Sequence, residues 1–86
     1  MIMHEVKKNV NGKDVTLVGN KCTFKDLEVG DFFVVLYKQS GKPSMESVWK
    51  KLTKTLIINV TYFSPEQTGY RRGCALNKKV QKVRVK

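Results

Sequence analysis

The sequence has few of the residues from which catalytic and metal sites are built. Among its 86 residues are one histidine, His4, and two cysteines, Cys22 and Cys74. No Ser-His-Asp set, C-x-x-C pair or glycine-rich phosphate loop occurs. Asp26, Glu28 and Asp31 surround a glycine bend, where carboxylates serve local structure, and the separated cysteines with one histidine make no zinc site. We therefore expect no enzyme, no metal and no cofactor.

Long apolar segments are also missing. The longest apolar run, Phe32–Tyr37, is far shorter than a membrane span, and the stretch Met1–Glu5 has no apolar core of the kind found in signal peptides. We expect a cytoplasmic protein without membrane contact. Two cysteines in such a chain are expected to be reduced thiols, because disulfides persist mainly in oxidising compartments.

Acidic residues are scarce in the second part of the chain. Residues 1–31 carry five basic and five acidic side chains, whereas residues 32–86 carry twelve basic side chains against Glu46 and Glu66. The net charge of +10 therefore lies entirely after residue 31. Such an excess is typical of proteins with a polyanionic partner, although it is also compatible with a simple solvated surface. We expect these cations to gather on one side of the molecule.

The pattern of apolar residues predicts one mainly β domain spanning residues 1–86. Asn11-Gly12 is a strong signal for a two-residue hairpin turn, and it places Val10 opposite Lys13 and Lys8 opposite Val15 within a hairpin over residues 3–18. Alternation then gives an apolar stripe on one face of this hairpin. Its predicted members are Val6, Val10, Val15 and Leu17.

The organising segment follows the hairpin. Thr23 is expected to cap a helical turn over residues 24–29, Gly30 allows a bend, and the strand from Phe32 to Tyr37 is apolar on both faces. A strand of that kind must be covered on two sides. In so short a chain we expect the strands of residues 32–86 to form a small antiparallel SH3-like or OB-like barrel.

The remaining strands are less sharply defined. Residues 38–47 predict a loop, and Val48–Phe63 divides near Lys54-Thr55 into two strands, unless it is one long bent strand. Residues 64–73 predict a loop or hairpin tip, and Cys74–Asn77 a short strand. The final strand runs from Val80 to Lys86, with a bulge near Gln81 because Val80 is out of phase with Val83 and Val85.

The segment FKDLEVGDFF, from Phe24 to Phe33, resembles the opening of small phage and prophage proteins that begin FKDLKVGDxF. Those proteins continue into a compact β-barrel with a final VxV strand, as Val83-Arg84-Val85 does here. The resemblance covers residues 24–37 and, loosely, the last strand. It implies phage origin, action in the host cytoplasm and a β fold, and it implies no particular activity.

Aromatic residues interleaved with basic ones define the candidate binding site. Basic groups neutralise phosphates and exposed aromatic rings stack on bases, so this combination is typical of surfaces that bind single strands or RNA. The candidate nucleic-acid-binding residues are Trp49, Lys50, Lys51, Lys54, Tyr70, Arg71, Arg72, Lys78 and Lys79. Alternatives remain open: Trp49 in the core, Tyr70-Arg71-Arg72 as a solvated loop, and the C-terminal lysines as protection of an edge strand.

Two functions follow as hypotheses. The first is a basic module that binds DNA or RNA without catalysis. The second is a phage accessory protein that binds and inhibits, or redirects, an acidic surface of a host protein through the segments 38–47 and 64–73. The sequence assigns no oligomeric state under either hypothesis.

Overall fold

Backbone pairing among the residues that the structure describes forms one antiparallel sheet of eight strands. The computed structural model describes residues 7–61, 63 and 70–86, and in them one 3₁₀ turn accompanies the strands. The elements are β1 (Lys7–Val10), β2 (Lys13–Leu17), β3 (Cys22–Thr23), the 3₁₀ turn (Phe24–Asp26), β4 (Phe32–Val35), β5 (Trp49–Lys51), β6 (Leu56–Asn59), β7 (Arg71–Gly73) and β8 (Lys79–Val85). The prediction of a mainly β, antiparallel fold is confirmed.

The sheet runs in the order β1-β2-β8-β4-β5-β6-β7, and β3 continues the pairing of β2 along β8. Among the described residues no pairing joins β1 to β7, so the strands do not close into a complete barrel. The tip of the β1–β2 hairpin contacts the segment that follows β6: Asn11 Nδ2 donates a hydrogen bond to the Thr61 carbonyl oxygen at 2.8 Å. The result is a curled, open sheet.

The hairpin has the predicted register. Val10 lies opposite Lys13 and Lys8 opposite Val15. Asn11 and Gly12 have φ values of 49° and 90°, the left-handed pair that a type I′ turn requires. Val10 and Val15 are buried. Residues 3–6 of the predicted hairpin, including Val6, lie outside the described residues.

Alternation along β4 gives the sheet a core on each face, as the apolar pattern of that strand predicts. Val34 belongs to the first core and Phe33 to the second. The buried members of the first core are Val10, Val15, Val34, Val48 and Val83. The buried members of the second core are Phe24, Leu27, Phe33, Ile57 and Val80.

The two cores also explain the phase of Val80, and they show that the predicted bulge near Gln81 is wrong. β8 pairs with β4 in one unbroken register, from Phe32 opposite Val83 to Val35 opposite Val80. Val80 and Val83 simply face different cores. On the other side of β8 the strand pairing is interrupted, in the gap between β2 and β3. There, Gln81 Nε2 donates to the carbonyl oxygens of Val18 and Gly19 at 2.7 and 2.9 Å.

The helical turn is shorter than the predicted 24–29, because it ends at Asp26. Thr23 is the N-cap residue, as predicted, and Asp26 forms a capping box with it: Asp26 Oδ2 accepts hydrogen bonds from the Thr23 N–H at 3.1 Å and the Thr23 hydroxyl at 2.8 Å. Phe24 and Leu27 are buried, as predicted. Gly30 makes the expected bend, with a φ of 98°.

The second part of the chain departs from prediction in one strand. β5 and β6 are separate strands, so the predicted division near Lys54-Thr55 is confirmed. The predicted strand over Cys74–Asn77 is wrong, because Leu76 and Asn77 lie in a turn. The predicted loop over residues 64–73 is wrong at its end, where Arg71–Gly73 forms β7, and its residues 64–69 lie outside the described residues. The reason is pairing, because β7 lies against the buried residues Ile57 and Ile58 of β6.

Candidate nucleic-acid interface

A groove lies on the sheet face that carries the second core. It consists of two adjoining cavities of about 770 and 420 Å³, which share Leu36, Tyr37, Ala75 and Lys78 in their walls. The 3₁₀ turn, with Phe24 and Leu27, covers one part of this face, and the groove occupies the part toward Tyr37 and the Ala75–Lys79 segment. Both volumes fall within the range of roughly 300–1,000 Å³ that is usual for ligand sites.

Tyr37 stands at the junction of the two cavities. It lies two residues beyond the end of β4 and continues the alternation of Phe33 and Val35, so its side chain lies on the groove face. The backbone fixes its position, because the Tyr37 N–H donates to the Lys42 carbonyl and the Gly41 N–H donates to the Tyr37 carbonyl, both at 2.8 Å. Its side chain is 50% exposed, which leaves a ring available for stacking.

Trp49 combines the two roles that the sequence left open. It lies opposite Phe33 in β4 and Asn59 in β6, and it packs against the second core. It is half-buried and also lines the smaller cavity. The core therefore holds the indole in place while part of it borders the groove.

Of the described residues, five with basic side chains and one with a carboxylate line the groove. The basic residues are Lys21, Lys38, Arg72, Lys78 and Lys79, and the carboxylate is that of Asp26. Hydrogen bonds from the Thr23 N–H, which has the larger effect, and from the Thr23 hydroxyl lower the pKa of Asp26. Within the described part of the chain, the ion pair present is Lys82 with Asp31 at 3.6 Å, so none of the five groove cations is paired with a described carboxylate.

Lys51 does not belong to the surface on which it was predicted. Its side chain is only 4% exposed, and its Nζ donates to the carbonyl oxygens of Phe24 and Leu27 at 3.1 and 2.7 Å. The same Nζ lies 4.4 Å from the centre of the Phe24 ring. This ammonium anchors the 3₁₀ turn to β5, so it is not available to contact phosphate.

The other predicted basic residues are divided between the two faces of the sheet. In the sheet, Lys50 lies opposite Ile58, and Ile58 lies opposite Arg71. Because directly opposed residues share a face, Lys50 and Arg71 lie on the same face. Arg72, one residue further, is on the groove face with Ile57. Lys50 places its Nζ 5.8 Å from the centre of the Phe32 ring, away from the groove.

The expectation that the cations of residues 32–86 gather on one side is therefore wrong, because β7 presents Arg71 and Arg72 to opposite faces. Arg72, Lys78 and Lys79 line the groove, while the exposed residue Lys54 lies outside it, in the bend between β5 and β6. Tyr70 is 68% exposed beside β7, and its carbonyl accepts from the Asn59 N–H at 2.7 Å.

Tyr37, Lys21 and Lys38 were not predicted as site residues. The alternation of Phe33, Val35 and Tyr37 was visible in the sequence and could have pointed to Tyr37. Lys21 lies in the electroneutral part of the chain, and Lys38 in a loop of ordinary polar composition. Only the fold brings these two lysines beside Lys78.

The two cysteines border the groove as protonated thiols. Cys22 lines the larger cavity and Cys74 the smaller one. Burial raises the pKa of both thiols, and the nearby Asp26 and Asp31 raise that of Cys22 further. A raised pKa leaves little thiolate at neutral pH, and the thiolate is the reactive form.

Within residues 7–61, 63 and 70–86, no group of three or more His, Cys, Asp and Glu side chains is arranged to hold a metal ion. His4 lies outside the described residues. The same residues contain no helix with the length and apolar character needed to cross a membrane.

Comparison with known proteins gives no match for this chain, whether with protein-family models, curated proteins or solved structures. The fold and the groove define a small, open antiparallel β domain with a basic, aromatic-lined depression on one face.

Proposed function

We propose that this protein is a non-catalytic binding module that binds nucleic acid in its groove. The observation that carries the proposal is the composition of the groove, which has five basic side chains, one internally bonded carboxylate and two accessible aromatic residues. Phosphates supply the complementary charge, and bases supply flat faces for Tyr37 and Trp49. The proposed phage origin and action in the host cytoplasm rest on the motif from Phe24 to Phe33.

The charge count sets the expected salt dependence. If the five groove cations each neutralise one phosphate, the slope of log affinity against log salt is about −3.5 for a single strand. Binding should then weaken by about 100-fold between 50 and 200 mM salt. Non-specific binding to a basic surface also depends steeply on salt, so the groove itself is tested with charge variants.

The test is fluorescence anisotropy with labelled DNA and RNA oligonucleotides at several salt concentrations. Lys78→Glu is the informative variant, because Lys78 lines both cavities. Lys8→Glu is the matched control, since it changes net charge equally at an exposed position of the hairpin. We expect Lys78→Glu to weaken binding by about 10-fold or more and Lys8→Glu by about two-fold.

Two results would contradict the proposal. One is no binding of either nucleic acid at 50 mM salt. The other is an equal loss of affinity in Lys8→Glu and Lys78→Glu, since binding would then depend on net charge rather than on the groove.

A second candidate is a phage accessory protein that binds an acidic surface of a host protein. The observation in its favour is exposed apolar surface next to the groove: Leu76 is 49% exposed and adjoins the lining residues Ala75 and Asn77. Protein interfaces combine such apolar centres with a polar rim. Capture of a stoichiometric protein from nuclease-treated host lysate by the wild-type protein, and not by Lys78→Glu, would favour this candidate.

A further inference from the structure

We propose that the groove selects single-stranded over double-stranded nucleic acid, with one unstacked base in the smaller cavity against Trp49 and the flanking phosphates at the larger cavity. This inference rests on the proposed nucleic-acid function and adds the kind of strand and the place of each of its parts.

The two cavities differ in the chemistry of their walls. The smaller one is bordered by Trp49 and Tyr37, with Val35 and Ile57 as apolar lining. Ser44 and Ser47 add hydroxyl groups that can donate to or accept from the edge of a base. A volume of about 420 Å³ with aromatic walls and a few polar groups suits one flat heterocycle.

The larger cavity carries most of the positive charge. Lys21, Lys38 and Lys79 line it and do not line the smaller cavity, whose own cation is Arg72, and Lys78 lies at the boundary. Its one carboxylate, Asp26, already accepts two hydrogen bonds from Thr23. The arrangement separates a place for phosphates from a place for a base.

This separation has a consequence for duplexes. In a double helix the bases are stacked and paired inside, so their faces cannot reach a half-buried indole without unpairing. A duplex can therefore use the groove lysines but not Trp49, whereas a single strand can use both. Base–aromatic stacking contributes about 1–3 kcal/mol per base, which corresponds to an affinity difference of about 5- to 150-fold.

Tyr70 offers a second stacking position on the same face. Asn59 lies opposite Trp49 and bonds to the Tyr70 backbone, so the two aromatic residues are two strands apart, at a backbone separation of about 10 Å. The exposed ring of Tyr70 can therefore receive a neighbouring base of an extended strand.

The experiment uses Trp49 as its own probe, because it is the only tryptophan in the chain. Three ligands are titrated at 50 mM salt: a thymidine 12-mer, a 12-base-pair duplex and an abasic 12-mer with the same number of phosphates. We expect the thymidine strand to quench Trp49 and to bind about 10-fold tighter than either other ligand. The abasic strand should bind by charge and leave the fluorescence unchanged.

Tyr37 supplies the matching variants. Tyr37→Ala removes a half-exposed ring without emptying either core, and Tyr37→Phe keeps the ring and removes only the hydroxyl. We expect Tyr37→Ala to lower the affinity for the thymidine strand by about 5-fold or more and that for the abasic strand by less than two-fold. Tyr37→Phe, which keeps the ring, should recover most of the affinity for the thymidine strand that Tyr37→Ala loses.

The outcomes separate this inference from the proposed function. Equal affinity for strand and duplex without quenching of Trp49 would overturn the inference and leave nucleic-acid binding in place. Equal quenching by the abasic and thymidine strands would overturn the assignment of a base to the smaller cavity. Absence of binding to all three ligands would overturn both proposals.

Discussion

The buried ammonium of Lys51 is the feature whose loss has the most definite consequence for stability. In Lys51→Ala about three buried methylene groups are lost, at roughly 0.8 kcal/mol each. The Leu27 carbonyl, which accepts from Nζ at 2.7 Å, loses that donor, at a cost of about 1–3 kcal/mol. The Phe24 carbonyl keeps its hydrogen bond from the Leu27 N–H at 3.1 Å. We therefore expect the free energy of unfolding to fall by about 3–5 kcal/mol.

That loss is large for a chain of this size. Domains have about 0.05–0.15 kcal/mol of stability per residue, so 86 residues give roughly 4–13 kcal/mol. A loss of about 3–5 kcal/mol should lower the melting temperature by at least about 12 °C, since each kcal/mol corresponds to about 4–8 °C in small domains. Urea unfolding followed by Trp49 fluorescence measures the change directly, provided that the slope with denaturant stays constant.

Lys51→Met isolates the role of the ammonium, because it keeps most of the apolar stem. Methionine also relieves the desolvation of a buried charge, which opposes the loss of the two hydrogen bonds. We expect a net loss of about 1–2 kcal/mol, smaller than for alanine. The control is Lys50→Met: Lys50 is half-buried, its Nζ lies 5.8 Å from the Phe32 ring centre, and its side chain has no hydrogen bond to a described residue. Its cost should stay below about 1 kcal/mol. If Lys51→Met proves at least as stable as the wild type, the hydrogen bonds of the ammonium do not outweigh its desolvation, and the expected net stabilisation is refuted.

Three further predictions concern the hairpin turn at Gly12, the carboxylate of Asp26 and the two thiols. Gly12→Ala should lower the free energy of unfolding by about 1–2 kcal/mol because φ is 90° there, whereas Gly73→Ala, in β7, should have little effect; equal urea midpoints would refute this. The folded-state pKa of Asp26 is lowered, so its stabilising contribution is present above the unfolded pKa and is lost as pH falls through the folded value. Stability of Asp26→Asn should consequently fall less than that of the wild type below about pH 4, and parallel acid-unfolding curves would contradict this. Burial raises the thiol pKa values of Cys22 and Cys74, so iodoacetamide should label both more slowly at pH 8 than it labels glutathione, with mass spectrometry as the readout; labelling at the glutathione rate would count against it.

The parts of the fold that sequence reasoning predicted correctly are those specified locally. The register of the hairpin follows from Asn11-Gly12 together with alternation, and both signals lie within a few residues. The two-sided core around β4 follows from the apolar run that begins at Phe32. Turn chemistry and periodicity act over short distances, so they can be recognised without the tertiary structure.

The errors share a cause, which is dependence on residues far away in the chain. Lys50, Lys51 and Lys54 look equivalent in sequence, yet only Lys51 is buried, because carbonyl groups 24 and 27 residues earlier accept hydrogen bonds from its ammonium. Arg71 and Arg72 between two glycines predict a loop, but pairing with β6 makes them a strand and sends them to opposite faces.

The groove has the same long-range origin. Tyr37, Trp49, Arg72 and Lys78 come from four separate segments of the chain. Composition could indicate an excess of positive charge after residue 31, but it could not indicate which cations share a cavity with an aromatic ring.

Binding in the groove is tested most directly by an NMR titration of the ¹⁵N-labelled protein with a single-stranded 12-mer at 50 mM salt. We expect the largest shifts at Tyr37, the Trp49 indole N–H, Arg72 and Lys78, with β1 and β2 little changed. Largest shifts on the hairpin from Lys7 to Leu17, or no shifts at this salt concentration, would contradict binding in the groove.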